Sequence, residues 1–384
     1  MKYKRAWAEI DLSALKHNIN IIKNMLPKNV LLLGAVKADA YGHGAIETAK
    51  IMKQNGVDYL GVALCEEGIE LKNINMPILV MSYTPKQMLK PALKHGLILT
   101  VVSYKDACTL AKIAASLNIQ ANIHIKIDTG MGRLGFLPTK ESIKHIIEIF
   151  NNKHLNVQGI YTHLATSDSL NSGFMYEQHT KYKYILSLIK EQGINTNDIC
   201  CHMGNSGVLS QTIREGFLHP PDGGFFLDMV RAGIMLYGLP PSSEMCDICK
   251  PLNLLPVMKL KTRISMTKKI PAGSGIGYGH TFRTARETTV ATLPIGYADG
   301  YPRILSNKGH VLINGSLAPI IGAICMDQCM VDVTDIPKKL KQGDIVTMFG
   351  EPSITADDLA DMIGTISYEI LCGVGKRVPR VYVN

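Results

Sequence analysis

Val30-Leu-Leu-Leu-Gly-Ala-Val-Lys-Ala-Asp-Ala-Tyr-Gly-His-Gly44 is the stretch on which the reading of this chain turns. Its apolar half is short, unbroken by polar positions and bounded by Pro27 and Asn29, the pattern of a parallel strand buried on both faces. Lys37 stands where that strand gives way to a polar, glycine-punctuated loop. An amine held against an apolar strand end is costly to keep charged, so its pKa falls. It then becomes a nucleophile able to form a Schiff base with a carbonyl cofactor. Tyr41 and His43 follow directly, and Gly42 and Gly44 let the backbone turn tightly beside them. The plain alternative is a surface lysine whose stem snorkels into water.

Working outward, short apolar runs alternate with helical patterns as far as about residue 240. Strands are expected at 30–36, 59–64, 77–82, 97–102, 122–127, 157–162, 199–203 and 228–235. Between them, Leu12, Leu15, Ile19, Ile22 and Leu26 share one helical face behind Asp11 or Ser13 as N-cap. Ala107, Leu110, Ala111 and Ala114 recur at helical spacing, and 175–192 forms another helical segment. Eight such units fit a (β/α)8 barrel over 12–240 better than an open sheet. A closed barrel also gathers Lys37, the Asp128–Arg133 loop, His163, Asn205-Ser206 and Arg231–Ile234 at one mouth, because all of them follow strand C-terminal ends.

Beyond Leu239-Pro-Pro241 the pattern becomes strand-like, with runs at Val257–Met266, Thr288–Leu293, Val311–Ile313, Ile320–Ala323, Met330–Val333 and Ile345–Phe349. Residues 241–384 therefore read as a mostly β domain. Gly309 to Met326 carries no formal charge and is as long as a membrane span. Its Asn314-Gly315 and internal alternation make it a hairpin instead.

The 384 residues suit two domains, and 46% hydrophobic with 19% charged residues suits a globular enzyme. The net charge of +9 favours anionic ligands. Basic and acidic residues are nevertheless intermixed, without basic blocks, which argues against nucleic acid. The N-terminus lacks the apolar core of a secretory signal, so a cytoplasmic protein with no membrane association is expected. Nine cysteines argue against a disulfide framework. Cys246-Asp-Ile-Cys249 has zinc-like spacing, but the spacing of Cys325 and Cys329 does not complete a site, and no metal is expected.

The decapeptide AVKADAYGHG resembles the cofactor-attachment motif of the alanine racemase family, a fold-type III pyridoxal 5'-phosphate (PLP) family. Further landmarks agree in order along nearly the whole chain: AWAEIDLSALKHN, HIKIDTGMGRLGF, GIYTHLATSD, HMGNSG, MVRAGIMLYGL, GIGYGHTF, PIGYADGYPR, GAICMDQCMVDVT and GTISYEILC. The resemblance implies that Lys37 carries PLP and that Ala6–Asp11 joins the β domain. It also implies a role in supplying D-alanine for peptidoglycan by interconverting L-alanine and D-alanine.

By the same resemblance, Tyr41, Asn205, Ser206, Gly233, Ile234 and Tyr368 lie around the cofactor phosphate. Arg231 lies at the pyridine nitrogen, steadied by His163. An arginine there is always protonated, so it donates to the nitrogen and leaves the ring a weaker electron sink, which favours clean proton return. Racemisation needs an acid–base group on each face of a planar carbon. By the resemblance Lys37 is one, acting on D-alanine, and Tyr278 matches the other, acting on L-alanine. In this family the tyrosine comes from the second subunit of a head-to-tail homodimer, together with Met326 and Asp327. Arg133 and Met326 would bind the substrate carboxylate, and Tyr297 would narrow the entrance. In some members the lysine matching Lys126 is carbamylated, an anion able to hold the arginine.

Two departures from the family pattern are an insertion at 219–226 and Ala232 in place of a common proline. Competing readings are a serine or broad-specificity racemase, a non-catalytic PLP-homeostasis protein and a two-domain decarboxylase. The β domain and Tyr278 disfavour the second of these, and Arg231 disfavours the third.

Overall fold

The computed structural model describes residues 4–215 and 224–384. Most of the expected 219–226 insertion lies outside the described residues.

Strands Leu31–Ala35, Tyr59–Val62, Ile78–Val80, Ile98–Val101, Ala121–Lys126 and Leu155–Tyr161 pair in parallel, each with the next. The seventh position is made of two pieces, Cys200–His202 and Gly204–Asn205, with Met203 between them. The first piece pairs with Leu155–Tyr161 and the second with Met229–Ala232, which pairs back to Leu31–Ala35. The ring therefore closes: nine strand segments fill eight positions. Leu33 and Met229 come from one pair of neighbouring strands and Leu79 and Ile98 from another, yet the four form one buried cluster. Strands across a ring can meet only through its interior, so this cluster is the barrel's plug.

Helices cover the ring where the sequence places them. Leu12–Met25 is capped by the Asp11 carboxylate, which accepts from the Ala14 N–H, and it buries Leu15, Ile19 and Ile22 along one stripe. The eighth strand ends at Ala232, short of the expected residue 235. There the backbone turns at Gly233 into the 3-10 segment Ile234–Tyr237, which brings amide groups to the barrel mouth.

The second unit is mostly β. A six-stranded sheet runs in the order Ser316–Pro319, His310–Ile313, Ile345–Phe349, Met258–Arg263, Ala6–Asp11, Arg380–Val383. The N-terminal strand thus lies inside the sheet built by the C-terminal half, antiparallel to Met258–Arg263 and parallel to Arg380–Val383. A three-stranded sheet of Met266–Ile270, Thr288–Leu293 and Cys329–Asp332 adjoins it in sequence. The uncharged 309–326 stretch contains the hairpin, with Asn314 (φ 49°) and Gly315 (φ 82°) in its two-residue turn. Ile320–Ala323 is not a strand; Ile320 contributes one bridge to Val331, because the preceding hairpin strand already ends at Pro319. Among the described residues no helix is long and apolar enough to cross a membrane. No group of three or more His, Cys, Asp or Glu side chains among them could hold a metal. Cys246 and Cys249 lie on the short helix Cys246–Cys249.

Candidate active site

A cavity of about 420 Å³ opens at the barrel's C-terminal mouth. Lys37, Tyr41, Lys126, Arg133, His163, Asn205, Ser206, Arg231, Gly233, Ile234 and Tyr368 all line it; the first ten come from five strand ends of the barrel, and Tyr368 comes from the helix Ser367–Gly373. Tyr278, Tyr297, Met326 and Asp327 do not. They lie on the β domain, where Tyr278 is 73% exposed and Met326 53% exposed.

Lys37 enters the cavity from an unusual turn. Ala38, Asp39 and Ala40 hold φ/ψ of 52/50°, 53/47° and 55/51°, followed by Tyr41 at φ 53° and Gly42 at φ 81°. This is a turn of left-handed helix made mostly of non-glycine residues, each costing on the order of 1–2 kcal/mol. Glycine is required at its end: a Cβ on Gly42 would meet the Leu371 carbonyl oxygen at 2.5 Å. The Ala38 N–H donates to Glu67 at 2.6 Å, and Asp39 accepts from the Ala45 N–H at 2.7 Å. The Lys37 amine borders the open cavity yet is enclosed by protein elsewhere. Burial first, then the Arg133 charge, pull its pKa below the ordinary lysine value, against the opposing pull of Cys372 and Glu67.

Opposite it, Ser206 opens the helix Ser206–Glu215, and its hydroxyl accepts from the Gly233 N–H at 2.9 Å. A helix N-terminus beside the start of a 3-10 turn is an anion cradle. A Cβ on Gly233 would meet the Tyr41 hydroxyl at 2.6 Å, so the phenol sits directly against this backbone. Burial pushes the pKa values of Tyr41 and Tyr368 above the ordinary phenol value, leaving both as neutral hydroxyl donors. Asn205 serves the cradle indirectly. Its side-chain oxygen caps the helix through the Val208 N–H at 3.0 Å and also accepts from Ser167 at 3.0 Å.

Arg231 is buried and many-handed. It bonds His202 Nδ1 at 2.7 Å, the Thr162 and Met203 carbonyls at 2.8 and 3.1 Å, and His163 Nδ1 at 3.4 Å. The expected partner His163 is the longest of these contacts. His202, the first residue of HMGNSG, is a closer partner that the sequence reading missed. A guanidinium only donates, so His202 Nδ1 accepts and its Nε2 carries the proton. That proton goes to His124 Nδ1, 2.9 Å away. Burial, then the Arg231 charge, depress the pKa of His124 to about 3 and that of His202 well below its usual value. Burial lowers Arg231 itself to about 10, so it stays a cation at neutral pH.

Two more basic side chains crowd the mouth. The Asp128 carboxylate accepts from the Gly130, Gly132 and Arg133 N–H groups, shaping the loop that presents Arg133. Burial would raise the Asp128 pKa, but these donors outweigh it and hold it below the usual value. Lys126 lies with its Nζ 4.1 Å from the Tyr161 ring centre. Burial, Arg231 and Arg133 together depress its pKa well below the lysine value.

Away from the cavity, the buried Asp299 pairs with Arg5 at 2.6 Å and Arg377 at 2.7 Å, and Arg377 also holds Asp327 at 2.6 Å. The Tyr297 N–H donates to the Cys325 carbonyl at 3.1 Å and the Ala298 N–H to the Met326 carbonyl at 3.0 Å. The two β-domain loops that carry Tyr297, Met326 and Asp327 are therefore one tied unit. Its ion pairs were not foreseen from sequence.

A lysine at the end of the first strand, an anion cradle at the seventh and eighth, and an arginine between them define a barrel enzyme of the PLP class. Family models for the alanine racemase N-terminal and C-terminal domains match residues 10–241 and 257–382. An alanine racemase 1 of Clostridium acetobutylicum is 43% identical over 98% of this chain and 95% of its own length. The solved alanine racemase of Clostridium difficile 630 superposes with a TM-score of 0.92 at 41% identity, covering 100% of this chain and 97% of that one. That of Bartonella henselae, with covalently bound pyridoxal phosphate, gives 0.86 at 32% identity over 99% of this chain and 100% of its own. The chain belongs to the alanine racemase family, whose members are PLP-dependent isomerases.

Proposed function

We propose that this chain interconverts L-alanine and D-alanine with PLP seated in the barrel cavity and with one site shared between two subunits of a homodimer. The cavity fits the cofactor residue by residue. Lys37 would hold its carbonyl carbon, and the Ser206–Gly233 cradle with Tyr41 and Tyr368 its phosphate. Arg231, fixed by His202, would donate to its ring nitrogen. When bound, PLP supplies an electron sink that makes the α C–H of an attached amino acid acidic.

The chain's own groups do the rest. Arg133 holds the substrate carboxylate and orients the α-carbon. Lys37, with its lowered pKa, is neutral often enough to take or return the α-proton on one face. Tyr278 of the partner subunit does the same on the other face, while the partner subunit's Met326 and Tyr297 close the pocket around a methyl group. One observation carries this reading: the cavity gathers every barrel-borne group but not Tyr278, which is instead 73% exposed on the β domain of the same chain. Purified protein should form D-alanine from L-alanine faster with added PLP than without, and Lys37→Ala should abolish both rates. A Lys37→Ala protein that still racemises would overturn the assignment.

Lys126 is the remaining piece. Burial beside Arg231 and Arg133 disfavours the charged form of this amine; its neutral form can add to carbon dioxide and lose a proton, giving an anionic carbamate that holds Arg133. Growth in ¹³C-bicarbonate should give a carbamate resonance that Lys126→Met removes; a spectrum without that resonance would leave Lys126 as an unmodified amine.

A further inference from the structure

The left-handed turn that carries Lys37 is held in shape from outside the barrel. Arg380, on the last strand of the β domain, donates through Nε to the Gly42 carbonyl at 2.8 Å. Its other nitrogens donate to the Gly375 and Val378 carbonyls and to that of Val374, each at 2.8 Å. One guanidinium therefore ties the end of the turn to three carbonyls of the C-terminal segment. Two further contacts come from the same segment. Leu371 places its carbonyl oxygen, and Tyr382 its hydroxyl, where a Cβ on Gly42 and on Gly44 would lie, at 2.5 and 2.0 Å. Asp39, within the turn, adds a favourable charge beside the half-buried arginine.

Four successive non-glycine residues at positive φ relax unless their surroundings over-determine them. Ala38 and Ala40 carry no side-chain group that could supply that restraint. Glu67 holds the Ala38 N–H and His43 Nδ1 faces the Ala40 and Tyr41 carbonyls from within the same loop, while Arg380 at the Gly42 carbonyl ties the turn to the β domain. We propose that Arg380 is a positioning residue for the reaction. It latches the left-handed turn, and so the direction of the Lys37 amine, by tying Gly42 to the β domain. This rests on Lys37 being the cofactor lysine, and it extends that reading to a residue that does not border the cavity.

The consequence is a specific coupling. Glycine adopts the left-handed region freely, so a glycine inside the turn should make the latch less necessary. Ala38 is exposed, and replacing it removes no packing. The experiment compares the parent, R380M, A38G and the double variant as full-length proteins. Covalent capture of PLP at Lys37 is followed by borohydride fixation and peptide mapping, together with amide hydrogen exchange over residues 38–45 and thermal unfolding.

R380M should slow capture about tenfold or more and speed exchange at Gly42 and Gly44. A38G should behave like the parent, and the double variant should recover most of the capture rate. R380K, which keeps the charge but not the fork of donors, should fall between R380M and the parent. The proposal fails if R380M captures PLP at the parent rate, or if the double variant is as slow as R380M. It fails equally if R380M does not fold and A38G does not restore folding, since Arg380 would then be a general strut between domains. PLP capture at some other lysine, with Lys37 unlabelled in the parent, would instead break the assignment of Lys37 itself.

Discussion

The barrel mouth and the β-domain loops, to which we assign the two halves of one chemistry, are built in opposite ways. At the mouth, Arg231 and Lys126 are buried and His163 half-buried, and burial with mutual charge lowers the pKa of each. On the β domain, Tyr278, Met326 and Tyr297 are 73%, 53% and 41% exposed. The loops beneath Tyr297 and Met326 are nonetheless as firmly built as the barrel. The fully buried Asp299 accepts from Arg5, Arg377 and the Gly296 N–H, and Arg377 reaches on to Asp327. Rigid loops that present exposed aromatic and thioether groups have the character of a surface prepared for another surface. The difference teaches that enclosure, which tunes a base, and presentation, which lends one, need different kinds of support.

The largest effect that would break this comparison is at Tyr278. Tyr278→Phe removes a proton acceptor while nearly preserving shape, so PLP should still bind and racemisation should fall by about 10²–10⁴-fold. Exchange of the D-alanine α-proton with deuterated solvent should survive better than that of L-alanine, because Lys37 remains on its face. Equal loss of both exchange rates with the cofactor still bound would contradict the assigned faces.

A smaller effect sharpens the enclosed side. His43, His124 and His202 are buried and His163 is half-buried, and burial is the main reason each has a pKa below 6.5; His43 falls to about 4 and His124 to about 3. The sign follows from proton counting. Between pH 6.5 and about 4 the unfolded chain binds a proton at His43 that the folded chain refuses, so stability falls as pH falls. His43 Nδ1 already faces the carbonyls of Ala40 and Tyr41, and its Nε2 has no hydrogen-bond partner among the described residues, so a second ring proton would be buried unsatisfied. His43→Gln should make denaturant-derived stability less steep over this window, by up to about 1.4 kcal/mol per pH unit. An unchanged slope would mean that His43 titrates alike in both states.

Much of this was legible in the sequence because it is local. Eight short apolar runs, Asp11 as a cap and Asn314-Gly315 as a hairpin turn each depend on residues next to one another. Ten of the eleven cavity-lining candidates fall together because they stand at barrel strand ends and a closed ring gathers those ends; Tyr368 reaches the cavity from the helix Ser367–Gly373. What was missed is either non-local or runs against propensity. Ala38 and Ala40 are good right-handed helix formers, so nothing in their identity announces a left-handed turn; its cause lies some 340 residues away at Arg380. His202 was passed over although its motif was read, since its tie to Arg231 exists only when the seventh and eighth strands become neighbours. Ile320–Ala323 looked like a strand by composition, but its apolar residues are buried with only a single bridge.

Subunit exchange tests the shared site most directly. Lys37→Ala and Tyr278→Phe chains, each inactive or nearly so alone, are mixed, allowed to exchange and assayed for alanine racemisation. If Tyr278 acts on the partner subunit's lysine, every mixed dimer holds one site with both defects and one with neither. Activity should then return to about a quarter of the parent's at equal mixing, since half of the dimers are mixed and each has one intact site of two. If Tyr278 serves the Lys37 of its own chain, every site carries a defect and mixing restores nothing. That null result, obtained with subunit exchange demonstrated, would contradict the account.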